Sequence, residues 1–277
     1  MLEKGVDFKW QEINPYKEDA SAPGGYTKQP LPIEEKRRRY PGFVEASPRG
    51  LVPAFKHVKG DDVIVGSDSL PVNDVHVVWC SLIHPAHTDI DEAFDGPSLL
   101  PADPALRLKA RFWANHCTER IQKAYYTILI AQDDVTREKA REDFYRTARE
   151  LAGAMSPDGP FFFGREFGFV DIALAPFWQR FIIVGGHYRG LKFPADALFA
   201  RLEQWWQATK EHPSVKATFV NDDRLIASYS QYASNTATSD FARQLGVGKK
   251  GLLSAPAPKA AQPTSSWLAL VAGVAVG

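Results

Sequence analysis

The chain contains 277 residues, which is enough for two small domains. Its 33 Lys and Arg side chains balance 33 Asp and Glu side chains, so no net field favours nucleic acid or an anionic membrane. The two cysteines, Cys80 and Cys117, fall in different predicted elements. This usage argues against a disulfide scaffold or a zinc cluster, and it indicates a cytoplasmic protein in a reducing compartment.

The first 43 residues carry mainly loop signals. Residues 1–5 predict the last turn of a helix closed by glycine, and alternating apolar and polar residues over 6–13 predict a strand. Residues 14–43 are polar and rich in proline and glycine, which predicts a loop with a short helical turn over 33–39. The basic run at 36–39 fits either a solvated loop face, which is the simpler interpretation, or a contact with an anionic ligand.

A Val52–Pro53 pair lies between a Pro/Gly turn and a predicted hairpin. Proline pushes the preceding residue into an extended conformation, and a cis bond is common in this setting. We therefore expect the N–H and C=O groups of Val52 to face outward, where an extended peptide could pair with them. The hairpin is predicted from strands at 54–58 and 63–65 with a turn between them.

Asp68 and Ser69 follow the hairpin at the start of a predicted helix. Ser69 has the position of an N-cap, and Pro71 falls in the first turn. A helix N-terminus attracts a carboxylate, and the carboxylate of Asp68 could accept hydrogen bonds from an ammonium group. Together with Val52, these residues could hold a zwitterionic peptide end and the backbone attached to it.

Residues 75–89 interrupt the pattern of the chain. The segment has no helical period and contains three histidines, one cysteine and one proline. A metal site is one interpretation, although the spacing of its members matches no known ligand pattern well. A retained intron or a mis-joined gene model is the explanation that we favour. The four residues of the metal interpretation are His76, Cys80, His84 and His87.

Helical periodicity begins after a proline-rich linker at residues 95–104 and continues to residue 246. One apolar stripe runs from Leu106 to Ala124.

Gly168 and Asp171 have the spacing of an N-cap and its third helical residue at the start of a buried helix. Tyr229 and Tyr232 fit either a pocket mouth or ordinary packing. Residues 247–277 are rich in Ala and Pro, which predicts a disordered tail.

These motifs resemble the cytosolic glutathione transferases, in particular the fungal omega-like group. The resemblance is carried by RGLVPA at 49–54, DSLPVND at 68–74 and IDEAF at 90–94. It implies an α/β plus all-α fold: a truncated thioredoxin-like N-terminal domain over residues 1–95, with an insertion at about 75–89, and an all-helical domain over 105–246. It also implies glutathione as co-substrate, no metal, and a homodimer.

The resemblance implies roles for individual residues. The glutathione site would consist of Arg39, Val52, Pro53, Asp68 and Ser69, with Arg39 near the glycine carboxylate. The pocket for a small hydrophobic electrophile would be lined by Phe112, Trp113, His116 and Cys117, of which Trp113 and Cys117 fit core packing equally well. Gly168 and Asp171 would be a structural cap, with glycine where relatives usually have Ser or Thr.

The resemblance also leaves the activity open. In relatives, a strand, a loop with Cys or Ser and a helix precede the matched region and supply the residue that activates the thiol. The resemblance implies that this chain starts after them, so we assign no catalytic residue. Two functions fit: glutathione-dependent conjugation or thiol transfer, and a non-catalytic binding or scaffold protein. A defective gene product that does not fold is a third interpretation.

Overall fold

The computed structural model describes residues 1–59, 62–67, 91 and 94–247. The predicted helical turn near the N-terminus is confirmed as a short 3₁₀ turn, Leu2–Lys4, which ends at Gly5 with φ 63°. The strand predicted over residues 6–13 is wrong, because that stretch has no regular secondary structure and pairs with no strand of the described chain. A strand without a partner gains no ladder hydrogen bonds.

Two strands lie inside the segment that was predicted to be a loop. Strand β1 (Tyr16–Glu18) pairs antiparallel with β2 (Tyr26–Pro30). Helix α1 (Ile33–Arg39) confirms the predicted helical turn, and α2 (Phe43–Ala46) follows it. The loop prediction was therefore wrong for the two strands, whose pairing is not visible in local sequence.

The predicted hairpin is confirmed, with slightly longer strands. Strand β3 (Ala54–Lys59) pairs antiparallel with β4 (Asp62–Ser67) in continuous register, from Ala54 opposite Ser67 to Lys59 opposite Asp62. In the part of the chain that the structure describes, β1–β2 and β3–β4 form two separate sheets. The short helix α2 packs against both strands of the second sheet.

The helical half begins with a long helix in three parts: α3 (Pro104–His116), a π-helical segment (Cys117–Gln122) and α4 (Lys123–Ile130). Helix α5 (Asp134–Ala154) returns antiparallel beside it. Asp103 and Asp133 cap α3 and α5, each accepting a hydrogen bond from a main-chain N–H in the first turn. The capping signals therefore set where both helices begin.

The central helix has three parts as well: α6 (Phe169–Arg180), a π-helical segment (Phe181–Gly185) and α7 (Gly186–Arg189). The whole stretch from Phe169 to Arg189 is long and apolar enough to cross a membrane, but 67% of its most apolar window is buried inside the protein. It is therefore accounted for as the core helix of a globular domain. Four more helices follow within the described residues: α8 (Ala197–Glu211), α9 (Pro213–Thr218), α10 (Asp222–Ala233) and α11 (Asp240–Gln244).

One hydrophobic core fills the helical half. It is built from the inward faces of α3 to α6 and of α8 and α10, and includes the fully buried rings of Phe144, Trp178, Phe181 and Trp205. Burying each such side chain contributes about 1.5–3 kcal/mol relative to exposure. This core makes the helical half the rigid part against which the N-terminal segment packs.

The N-terminal segment is attached to the helical half by specific polar contacts. Gln231 of α10 accepts a hydrogen bond from the main-chain N–H of Lys28 (2.8 Å) and donates one to the carbonyl of Tyr26 (3.1 Å). These two hydrogen bonds place β2 beside α10. Within the N-terminal segment itself, the ammonium of Lys4 donates to the main-chain carbonyl of Asp91 (3.0 Å) and pairs with its carboxylate (3.1 Å).

Candidate functional site

The peptide bond between Val52 and Pro53 is cis, as predicted, with Val52 half-buried and Pro53 exposed. We call these two residues the Val52 corner. A tight turn leads into it: Ser47 accepts hydrogen bonds from Gly50 N (2.7 Å, to its carbonyl) and from Leu51 N (2.9 Å, to its hydroxyl). The main-chain N–H and C=O of Val52 form no hydrogen bond with any residue that the structure describes. Both groups are therefore available to an extended ligand backbone.

Helix α1 fixes the loop that precedes Val52. Gly50 has φ 64°, and a Cβ at this position would lie 2.8 Å from Cδ1 of Ile33 and 2.9 Å from Cδ of Lys36. The Lys36 ammonium donates to the carbonyl of Gly50 (3.0 Å), and Lys36 is the buried member of the basic run. Lys36 was not singled out from the sequence, where nothing distinguishes it from its basic neighbours.

Arg39, the predicted partner of a glycine carboxylate, is engaged in ion pairs on the outside of α1. Its Nε donates to Glu35 (2.6 Å) and one terminal nitrogen donates to Glu18 (2.8 Å). Hydrogen bonds from Arg38 and then Arg39 lower the pKa of the Glu35 carboxyl to about 2. The basic run is thus mainly a solvated, ion-paired helix face, with Lys36 as its buried exception.

Several predicted positions lie outside the described residues. These are Asp68 and Ser69 of the glutathione site, the interruption at 75–89 with its His and Cys residues, and the tail from 248 onward. Among the residues that are described, no group of three His, Cys, Asp or Glu side chains is arranged to hold a metal ion.

The four residues predicted to line the substrate pocket do not surround one opening. Phe112 is 60% exposed on α3, whereas Cys117 is 1% exposed inside the core. The ring of Trp113 lies between them, 5.0 Å from the ring of His116 and 6.0 Å from that of Phe162. The set therefore runs from the surface of α3 to its buried face.

Burial lowers the reactivity of His116 and Cys117. The Nε2–H group of His116 donates to the carbonyl of Thr147 on α5 (3.1 Å), and burial lowers the pKa of the imidazole. Burial, and then the charge of Asp171, raise the pKa of the Cys117 thiol. A thiol that stays protonated in the core is a poor nucleophile.

Gly168 and Asp171 lie at the start of α6. Gly168 is the N-cap with an extended backbone, and Asp171 accepts from its N–H (2.9 Å). The Asp171 carboxylate also accepts from Phe162 N (2.9 Å) and from Nε1 of Trp205 (2.7 Å). Gly168 has no side chain that could accept in return, so Asp171 supplies the side-chain contacts of this helix start, and the N–H of Phe169 donates to the carbonyl of Leu99 (2.9 Å).

A second polar cluster lies between β2 and α10, and the sequence did not reveal it. The ammonium of Lys28 lies over three tyrosine rings, with its Nζ 4.7 Å from the ring centroid of Tyr16, 5.1 Å from that of Tyr26 and 5.7 Å from that of Tyr232. Such cation–π contacts partly replace the lost hydration of a buried ammonium. Burial, and then the positive charge of Arg180, lower the pKa of Lys28 to about 8.

Arg180 continues this cluster at the end of α6. Its Nε donates to the hydroxyl of Tyr229 (2.7 Å), and that hydroxyl lies 3.1 Å from the hydroxyl of Tyr126. Tyr125 donates to the carbonyl of Arg180 (3.3 Å). Arg180 itself is half-buried. The Lys28–Arg180 cluster, as we call these residues with Tyr16, Tyr26, Tyr126, Tyr229 and Tyr232, thus joins both halves of the chain.

The profile of the glutathione S-transferase C-terminal domain matches residues 134–208. The chain is 33% identical over 150 residues to a probable glutathione S-transferase of soybean (Glycine max), an alignment that covers 54% of this chain and 66% of the relative. It covers 60%, 57% and 40% of three tobacco relatives. The chain thus matches less than two thirds of the length of these curated relatives.

Solved structures show the same fold. Glutathione transferase Omega 3C of Trametes versicolor superposes with a TM-score of 0.56 at 25% identity, over 79% of this chain and 80% of that one. The Tau class glutathione S-transferase of mango (Mangifera indica) gives 0.58 at 24% identity, over 84% and 89%. A rice glutathione transferase in complex with glutathione gives 0.51 at 22%, over 82% and 86%. The predicted fold class, a thioredoxin-like domain followed by a helical glutathione transferase domain, is confirmed.

Proposed function

We propose that this protein, a relative of the glutathione S-transferases, binds glutathione along the main chain of Val52. The observation that carries the proposal is the Val52 main chain itself, whose N–H and C=O have no partner among the described residues at the end of a turn fixed by Ser47 and α1. An extended peptide can add to such a backbone as a short strand. The cysteinyl residue of glutathione supplies one N–H and one C=O for this pairing.

The γ-glutamyl end is assigned to Asp68 and Ser69. Ser67, which immediately precedes Asp68 in the chain, pairs with Ala54, two residues beyond Val52. Chain connectivity therefore supports one shared site for the acid–Ser pair and the Val52 corner. An acid suits the ammonium of the γ-glutamyl group, and a hydroxyl suits its carboxylate.

Arg39 is assigned to the glycine carboxylate. Its present partners, Glu18 and Glu35, are surface carboxylates, and exposed ion pairs of this kind contribute little to stability. Exchanging one of them for a ligand carboxylate therefore costs little. The glutathione site in this proposal consists of Arg39, Val52, Pro53, Asp68 and Ser69.

The proposed chemistry is glutathione-dependent conjugation, or thiol transfer, to a small hydrophobic electrophile, in an omega-like enzyme that works as a homodimer. A free thiol with a pKa near ~8.5 is mostly protonated at neutral pH, so catalysis requires a group that favours the thiolate. Phe112 and Trp113 are the members of the predicted pocket that an electrophile can reach, since His116 and Cys117 are buried.

A second candidate is a non-catalytic glutathione-binding or scaffold protein. The burial of Cys117 favours it, because the cysteine that the structure describes cannot act on glutathione or on a disulfide. In that case the chain binds glutathione but does not accelerate its reactions.

Calorimetric titration of glutathione into the 277-residue chain tests the binding. We expect saturable 1:1 binding per chain, a loss of at least about tenfold in affinity for the double variant Asp68→Ala/Ser69→Ala, and unchanged affinity for Asp7→Ala, which removes an exposed acid elsewhere. Equal binding by the double variant and the parent would refute the site. Conjugation of glutathione to 1-chloro-2,4-dinitrobenzene, measured on the same samples, then separates the enzyme from the scaffold.

A further inference from the structure

Residues 6–13 have the alternating pattern of a strand but no strand beside them in the described chain. The main-chain N–H groups of Val6 and Asn14, at the two ends, are hydrogen-bonded within the protein. Between them, the main-chain groups of residues 7–13 form no hydrogen bond with any residue that the structure describes. Such a run of unused donors and acceptors is a template for strand pairing with another chain.

Large apolar side chains of this segment are exposed. Trp10 is 81% exposed and Phe8 38%, while Val6 is half-buried. Asp7 and Lys9, which alternate with them, are exposed as well. In a strand, the three apolar side chains lie on one face and the two charged ones on the other. An exposed tryptophan beside an unpaired main chain is typical of an interaction surface.

The charges indicate which partner fits. When two copies of the segment pair antiparallel around Phe8, Asp7 of each copy lies opposite Lys9 of the other, and Val6 lies opposite Trp10. A shift of two residues brings Asp7 opposite Asp7 or Lys9 opposite Lys9, and a shift of one residue places apolar side chains opposite polar ones. The segment is therefore complementary to itself in the register centred on Phe8 and not in the neighbouring registers.

Contacts on both sides of residues 6–10 hold them at the protein surface. Before them, the buried ammonium of Lys4 pairs with the carboxylate of Asp91 (3.1 Å). After them, the carboxylate of Glu12 pairs with Arg224 of α10. These anchors limit the conformations open to the segment, and so they reduce the entropy that it loses when it pairs.

We propose that this protein self-associates through residues 6–10, which pair antiparallel with the same residues of a second copy. The two-fold axis passes through Phe8, so both copies contribute the same contacts and the dimer is closed. One face of the shared sheet is apolar, and the other carries two pairs of opposite charges. The inference names a surface for the homodimer of the proposed function and rests on that part of it alone, since it does not depend on glutathione binding.

The test reverses charges in the full chain and measures association by sedimentation equilibrium at pH 7, from about 1 to 100 μM. In Asp7→Lys, the charged face of a self-pair carries only positive charge, and in Lys9→Asp only negative charge. Each variant should therefore self-associate at least about tenfold more weakly than the parent. Asp158→Lys, which reverses an exposed acid of the helical half, should associate as the parent does.

An equimolar mixture of the two variants provides the sharpest measurement. A mixed dimer of Asp7→Lys and Lys9→Asp places each lysine opposite an aspartate, so it should form about as tightly as the parent dimer. Impaired folding of the variants cannot produce this recovery. The double reversal Asp7→Lys/Lys9→Asp should likewise associate with itself, and it should not associate with the parent, because like charges then face each other.

Three results would overturn the proposal: a parent that stays monomeric over this range, association that both charge reversals leave unchanged, or a mixture that associates no better than its components. The second result would assign the homodimer to another surface. If a single variant does not fold, the double reversal decides the question, since free mixing of the double reversal with the parent rejects the register.

Glutathione titrations on the same samples keep this inference apart from the proposed glutathione site. Asp7→Lys and Lys9→Asp should bind glutathione with the affinity of the parent, because the residues assigned to that site lie outside the segment. Loss of glutathione binding in the parent, with recovery in the mixture intact, would reject only the glutathione site. The converse result would reject only this surface.

Discussion

The carboxylate of Asp171 accepts a 2.7 Å hydrogen bond from the indole nitrogen of Trp205, and this contact joins the first turn of α6 to the middle of α8. The same carboxylate accepts from the main-chain N–H groups of Phe162 and Gly168. One buried side chain thus fixes a loop, a helix start and a neighbouring helix. We predict a structural role for Asp171, because its three hydrogen bonds are with protein groups of the helical core.

Replacing Asp171 with Ala should therefore destabilise the protein without a direct effect on ligand sites. Three donors lose their acceptor in the core, and we expect the free energy of unfolding to fall by about 3–5 kcal/mol. Urea unfolding followed by tryptophan fluorescence measures this change. Asp158→Ala, an exposed acid on the preceding turn, should change it by less than about 0.5 kcal/mol.

A loss below about 1 kcal/mol in Asp171→Ala would contradict this role. Trp205→Phe offers an intermediate test, since it removes one of the three donors and keeps most of the ring. Its cost should be smaller than that of Asp171→Ala, with the Gly168 and Phe162 contacts still in place.

The loop before Val52 gives a second prediction. Gly50→Ala places a methyl group against Ile33 and Lys36, and also forces a residue with a side chain to keep φ at 64°. Gly5→Ala is the matched control, because Gly5 has φ 63° and no atom within 4 Å of the added methyl group. Both variants should lose about 1–2 kcal/mol of stability from the left-handed backbone.

Only Gly50→Ala should also weaken glutathione binding, by several-fold, because Lys36 must move and its hydrogen bond to the carbonyl of residue 50 is disturbed. Thermal melting measures the stability of the two variants, and calorimetry measures their affinity for glutathione. Equal glutathione affinity in Gly50→Ala and Gly5→Ala would show that α1 does not position the corner.

The parts of the fold that local signals determine could be predicted from the sequence. The β3–β4 hairpin has alternating residues and a Gly/Asp turn, and α5 has an Asp at its N-cap. The cis bond at Val52–Pro53 was expected from the turn before it. In each case the decisive atoms lie within a few residues of one another, so a short window of sequence contains the cause.

Elements that depend on distant partners could not be predicted. Strand β2 is held beside α10 by Gln231, about two hundred residues later, and its local sequence indicates a loop. The alternation over residues 6–13 indicates a strand, but Trp10 is 81% exposed and no described strand lies beside it. Lys28 is a loop lysine in the sequence and becomes buried only because α10 covers it.

Lys28 leads to a prediction about stability and pH. Its folded-state pKa of about 8 lies below the ordinary value of 10.5, so the unfolded chain binds more protons between these pH values. The contribution of Lys28 to the free energy of unfolding therefore rises with pH in that window, and its cost is fully present below pH 8. Tyr16, Tyr26, Tyr232 and Arg180 face the ammonium, and none of them is a carboxylate.

Lys28→Met removes the titrating group, so the comparison of parent and variant isolates it. From pH 7 to 9.5, the parent should gain about 2 kcal/mol relative to Lys28→Met in the free energy of unfolding. Urea titrations at several pH values give this difference, and Lys17→Met serves as the exposed control. A difference between parent and Lys28→Met that stays constant with pH would show that Lys28 keeps an ordinary pKa.

Cys117 provides the last prediction. Its thiol lies in the core and burial keeps it protonated, so alkylation by iodoacetamide requires the core to open. For a domain with an unfolding free energy of at least about 5 kcal/mol, labelling of Cys117 in the native protein should be at least about a thousandfold slower than in denaturant. Mass spectrometry of the peptide containing Cys117 measures both rates. Cys117→Ala should bind glutathione as the parent does. Rapid native labelling, or a marked loss of glutathione affinity in Cys117→Ala, would instead place this thiol at an accessible site.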